Sequence, residues 1–149
     1  MKPLTCNSST FQSREPVTKQ LVLFADSRQI SSAQEILSNL RSRFNVDVVF
    51  TKLSGSDFLV SLRTGVERIY MSEFSNFSNT RKITERLQLL IDLHDRPCLI
   101  VEKNPVKKGL ASTKTPFYQT KYLEKLLSRL SLSPIKLLFS DSKGKNNLP

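Results

Sequence analysis

Three acidic residues, Asp26, Asp57 and Glu67, stand at the ends of, or within, apolar runs that read as neighbouring strands. Carboxylates gathered on adjacent strands suit a hard divalent cation, because such ions take oxygen ligands. A metal held that way can activate water and offset the charge that develops during phosphodiester cleavage. Asp26, Asp57 and Glu67 are therefore candidate ligands for Mg or Mn. The plainer alternatives stay open: Asp26 as a cap on the turn after its strand, Asp57 and Glu67 as an exposed pair bonded to Arg63 or Arg68. Arg68 itself could contact phosphate or satisfy a neighbouring carboxylate. Ile69 stands where such a site would want a cation, and an isoleucine does no acid, base or phosphate chemistry.

The elements that must position these residues follow from periodicity. Leu21 to Ala25 is a continuous apolar run ended by Asp26, as in a buried strand. Ser32-Ala33-Gln34-Glu35 has the capping-box pattern, and Ile36, Leu37 and Leu40 then repeat at helical spacing. Val46, Val48 and Phe50 alternate as in a strand. Ser54-Gly55-Ser56 marks a turn. Asp57 to Leu62 and Val66 to Met71 read as a hairpin turning at Thr64-Gly65. Ser75 to Asn79 reads as a polar break. Ile83, Leu87, Leu90 and Ile91 then form one apolar helical face. Cys98 to Val101 is a further buried strand, Leu123, Leu126, Leu127 and Leu130 a second helical stripe, and Ile135 to Phe139 a last strand. This order predicts an α/β fold, with a central mixed sheet flanked by helices on both faces. In such sheets, sites lie at the carboxyl ends of strands, where Asp26 falls.

With those motifs in order, the chain resembles the XPF family of structure-selective DNA nucleases. That family's signature is Gly-Asp-x, a spacer, then Val-Glu-Arg-Lys-x-x-x-Asp. Here Ser56-Asp57-Phe58 takes the first place, and Val66-Glu67-Arg68-Ile69-Tyr70-Met71-Ser72-Glu73 takes the second. Asp26-Ser27-Arg28-Gln29 is similar to the family's Asp-x-Arg-Glu, and Pro97 to Lys103 to the strand after the long helix. The resemblance implies one XPF-type, restriction-endonuclease-like domain over residues 20–140, with a disordered lead-in at 1–19 and a tail at 141–149. It also implies a DNA-repair role in the nucleus and a second XPF-type chain as partner, since such nuclease domains usually work as dimers. The departures are Ile69 for lysine, Glu73 for aspartate, Gln29 for glutamate and Ser56 for glycine. They leave Asp26, Asp57, Glu67, Arg68 and Glu73 as a degenerate site. The expectation is a module that does not cut, needs no cofactor and holds single-stranded or branched DNA as one half of a heterodimer. The rival readings are a working metal-dependent endonuclease and a protein scaffold with no DNA role.

Charge points the same way. The formal net charge is +10, from 23 Lys/Arg against 13 Asp/Glu. Residues 1–101 carry 13 against 10, and residues 102–149 carry 10 against 3. A basic surface attracts phosphate backbones through counterion release. The candidate DNA contacts are Arg68, Lys103, Lys107, Lys108 and Lys114, most of them in a Pro- and Gly-containing loop. The leucine stripe at 123–130 reads mostly as core, and part of it, with Leu137 and Phe139, is the candidate partner interface: Leu123, Leu126, Leu127, Leu130, Leu137 and Phe139. Cys6 and Cys98 are too few for a disulfide framework or a zinc site. His94, the only histidine, is expected to be structural, near a helix C-terminus. No apolar leader opens the chain, and no run is long enough to span a membrane.

Overall fold

The apolar runs do become strands, and they join one six-stranded sheet in the order β2-β1-β3-β4-β5-β6. In a computed structural model, which describes residues 20–103 and 117–140, β1 is Val22–Asp26, β2 Asp47–Thr51, β3 Phe58–Ser61, β4 Thr64–Tyr70, β5 Cys98–Glu102 and β6 Lys136–Ser140. Strand β1 runs parallel to β2 and antiparallel to β3; β3 and β4 form the antiparallel hairpin; β4, β5 and β6 are parallel. The sheet is thus mixed, as the alternating order of elements predicts.

The helices are α1 (Gln29–Ser32), α2 (Gln34–Phe44), α3 (Phe77–Leu93) and α4 (Phe117–Leu130), with a 3-10 segment at Met71–Ser75. They cover two faces. Leu37 and Leu40 of α2 pack with Leu23, Ala25, Phe58 and Val66. Ile83, Leu87 and Leu90 of α3, with Leu123, Leu126 and Leu130 of α4, pack with Ile69, Leu99 and Val101. Alternation along a strand makes this division possible: on β4, Val66 faces one helical layer and Ile69 the other. No helix among the described residues is long and apolar enough to cross a membrane.

Three local expectations change. The capping box at Ser32 does not form: Ala33 is the N-cap of α2, without a side-chain bond, and the Ser32 hydroxyl donates to Gln29 Oε1 at 2.9 Å. The hairpin turns at Leu62-Arg63, and Thr64-Gly65 already belongs to β4. Gly65 is there for space, since a Cβ would collide with the His94 ring. The polar break becomes a helix start, with the Asn76 side chain accepting from the Asn79 N–H at 2.8 Å. The expected lead-in at 1–19, the Pro- and Gly-containing loop at 104–116 and the tail at 141–149 lie outside the described residues.

Candidate functional site

Alternation on β4 decides the layout. Glu67 and Arg68 are adjacent, so they project to opposite faces of the sheet, and each finds its own ionic partner there. Both are buried.

Glu67 points toward α3, whose Arg86 donates from Nη2 to Glu67 Oε2. The same Nη2 reaches Asp57 Oδ2 at 3.3 Å, and Nη1 lies 3.8 Å from Glu73 Oε2. One guanidinium thus meets three carboxylates. Asp57 immediately precedes β3 and is otherwise satisfied: Oδ1 accepts from the Gln29 amide at 2.8 Å, and Oδ2 accepts from the Arg68 backbone N–H at 2.9 Å. Glu73 Oε1 accepts from the Tyr70 backbone N–H at 2.9 Å. Burial, together with the charge of Asp57, pushes the Glu67 carboxyl up from 4.5 to about 7, although Arg86 pulls it down.

Asp26 does different work. Its Oδ1 accepts from the Arg28 backbone N–H at 2.9 Å and from Arg28 Nε at 2.6 Å, while Oδ2 accepts from the Leu53 N–H at 2.8 Å. Burial would raise its pKa, but the bonds from Arg28 and Leu53 and the Arg28 charge prevail and lower it to about 2. Asp26 caps the turn that leaves β1.

Arg68 projects to the α2 side. It donates from Nε to Glu102 Oε2 at 2.5 Å, from Nη1 to the Ser32 carbonyl at 3.2 Å and from Nη2 to the Tyr70 hydroxyl at 2.7 Å. Its guanidinium carbon also lies 4.8 Å from the centre of the Tyr70 ring. Of the two expectations for Arg68, phosphate or a neighbouring carboxylate, the structure shows the carboxylate: its side chain is 6% exposed and three of its N–H groups bond within the protein.

A metal does not fit this arrangement. Among the described residues, no three of His, Cys, Asp or Glu are grouped so as to hold an ion. Of the expected ligands, Asp57 and Glu67 come together around Arg86, whereas Asp26 is bound up in its own turn. Gln29 presents an amide donor to Asp57, and Ile69 is fully buried among apolar side chains. What remains is an open hollow of roughly 310 Å³, bordered by Gln29, Asp57, Arg68, Tyr70, Glu73 and Arg86 among others.

The other expected sites divide. Lys103 is exposed beyond β5. Lys107, Lys108 and Lys114 lie outside the described residues. Of the candidate partner-interface residues, Leu123, Leu126 and Leu130 are buried in the core beneath α4, as the core reading of that stripe has it, and Leu127 and Leu137 pack against that core. Of the six residues only Phe139 is an exposed side chain, at 61%. His94 caps the C-terminus of α3 and packs on Gly65, and neither ring nitrogen has a hydrogen-bond partner among the described residues.

Sequence reasoning missed Arg86. The signal was there: Arg86 falls three residues after Ile83 and four before Leu90, on the stripe that α3 turns inward. A charged residue on an apolar stripe implies a buried partner of opposite sign.

Comparison with known proteins places this geometry in context. No protein-family model matches the chain. It is 35% identical over 120 residues to the Fanconi anemia group M protein of Gallus gallus, and 36% identical over 121 residues to the homologue from Mus musculus. Those matches cover 80% and 81% of this chain but only 6% of each relative. Among solved structures, XPF from Aeropyrum pernix superposes with a TM-score of 0.61 at 22% identity, over 80% of this chain and 53% of that one. The same protein in complex with DNA gives 0.61 at 24% identity, over 82% and 57%.

Proposed function

For a chain homologous to a segment of the Fanconi anemia group M proteins and folded like an XPF nuclease domain, we propose the role of a non-cutting, nuclease-like module of DNA repair. It holds single-stranded or branched DNA in the nucleus and pairs with a second XPF-type chain. The observation that carries the loss of cleavage is the state of the carboxylates. Asp57, Glu67 and Glu73 are turned to Arg86, and Asp26 to Arg28 and Leu53, so metal-activated water has no ligand set to form on. The family's lysine, which would orient water or the scissile phosphate, is Ile69 here.

Binding needs no such site. The positive charge is concentrated after Val101, and lysines act on phosphate as mobile point charges without reading sequence. Lys103, Lys107, Lys108 and Lys114 are the proposed contacts. Partner pairing rests on the edge strand β6, which carries exposed Leu138 and Phe139, since the leucines of α4 are spent on the core.

The test is incubation of the purified chain with a labelled fork, in Mg²⁺ or Mn²⁺, read for cutting and for binding together. Weak binding without cutting is expected. Changing the four lysines to glutamine should weaken binding to every sequence alike and flatten its dependence on salt. Metal-dependent cutting that vanishes in Asp57→Ala would overturn the non-cutting reading and favour a working endonuclease. Affinity indifferent to salt and to the lysines would leave a protein scaffold.

A further inference from the structure

We infer that Arg86 is the resident cation of the carboxylate cluster: its guanidinium stands between Asp57, Glu67 and Glu73 where a divalent ion would have to sit, and it keeps metal out. This deepens the reading of a domain without cleavage, but it stands on geometry alone and does not require that DNA be bound.

Each part of the cluster agrees. Arg86 spans all three acids with two nitrogens, Nη2 on Asp57 and Glu67 and Nη1 toward Glu73. Oxygens of Asp57 and Glu73 also take backbone and amide donors. Asp57 accepts from the Gln29 amide and the Arg68 N–H, and Glu73 accepts from the Tyr70 N–H. Each of those donors takes one lone pair of an oxygen that a metal would also draw on.

An arginine is well suited to exclusion. It stays protonated at every physiological pH, so it cannot yield by losing its charge as a lysine can. A divalent ion arriving among these oxygens would meet a fixed positive charge within contact distance. Swinging the side chain out is opposed by its anchorage. Arg86 lies between Ile83, Leu87 and Leu90 on the buried stripe of α3, and only 36% of its side chain is exposed. Mg²⁺ or Mn²⁺ wants oxygen ligands in near-octahedral array; Asp26 is taken up by its own turn, and the three carboxylates that remain are the ones Arg86 occupies.

The experiment is a Mn²⁺ titration of the full chain, followed by the electron paramagnetic resonance signal of free Mn²⁺, on the native protein and on Arg86→Gln and Arg86→Ala. The native protein should leave the signal unchanged up to millimolar Mn²⁺. At least one variant that retains the native circular dichroism spectrum should bind one ion at least tenfold more tightly than the native protein, and adding Asp57→Asn should abolish that gain. Submillimolar Mn²⁺ binding by the native protein that is lost in Asp57→Asn overturns the inference, and so does the absence of any gain in every folded variant. Fork binding measured in EDTA separates this from the functional reading: a chain that refuses Mn²⁺ and also ignores DNA upholds Arg86 as the cation and sinks the DNA-holding role.

Discussion

Replacing Glu67 with glutamine should flatten the dependence of stability on pH. Glu67 is buried beside Asp57, and its carboxyl rises from 4.5 to about 7 on folding despite Arg86. A carboxyl whose folded pKa lies above its unfolded value binds its proton more tightly in the fold. Its stabilising contribution is full below about pH 4.5 and is lost as pH rises through about 7. Integrating the linkage between pH 5 and pH 8 with those two values gives a loss of about 2–3 kcal/mol from this one group. Glutamine keeps the shape and cannot titrate. Urea unfolding at pH 5 and pH 8, on native protein and on Glu67→Gln, gives two differences in stability. Subtracting one from the other cancels the remaining ionisable groups. The native chain should lose about 2–3 kcal/mol more than the variant across that interval. Equal losses would refute the reasoning and mean that Arg86 offsets the burial of Glu67 in full.

Removing Arg68 should be expensive, because Arg68→Ala strands Glu102 in a site where that side chain is 11% exposed; a loss of about 3–5 kcal/mol is expected by urea unfolding. Arg68→Lys should recover little of it, since an ammonium cannot serve Glu102, Tyr70 and the Ser32 carbonyl in one planar fork. Gly65→Ala should destabilise by about 1–3 kcal/mol through the clash with His94, and His94→Ala in the same chain should relieve part of that loss. Leu126→Ala should cost about 2–5 kcal/mol of stability, as a core residue does, which thermal and urea melts can check. A purely interfacial leucine would leave those melts unmoved at low protein concentration.

Most of the sheet was legible because strand and helix periods are local properties. The runs at Leu21, Val46 and Cys98 became β1, β2 and β5, and the stripe from Ile83 to Ile91 became the inward face of α3. The meeting of Asp57 and Glu67 was legible too, as residues facing each other across a hairpin. What lies between them was not. Arg86 comes from a helix 19 residues after Glu67, and nothing local says which strand will lie under it. The fate of Arg68 was legible in principle, because a neighbour of an inward Glu67 must point the other way. Gly65 misled for a physical reason: glycine marks turns through its backbone freedom, but here it is needed for the space that His94 fills. The leucines of α4 were legible as a covered face, but a stripe does not say how much of it the chain's own core takes up.

The opposed pair on β4 also guards the way the strand is threaded into the sheet. A slip of one residue would turn every side chain of β4 over. Glu67 would then arrive against Glu102 in place of the guanidinium that now pairs with that acid, so like charges would meet on that face. Val66 and Ile69 would each still reach an apolar layer after such a slip, so greasiness alone could not tell the two arrangements apart. It is the match of Arg68 to Glu102 that favours one threading over the other. On this view that ion pair acts as a proofreading device for the central strand, a duty that would keep it in place even in a chain with no chemistry left to perform.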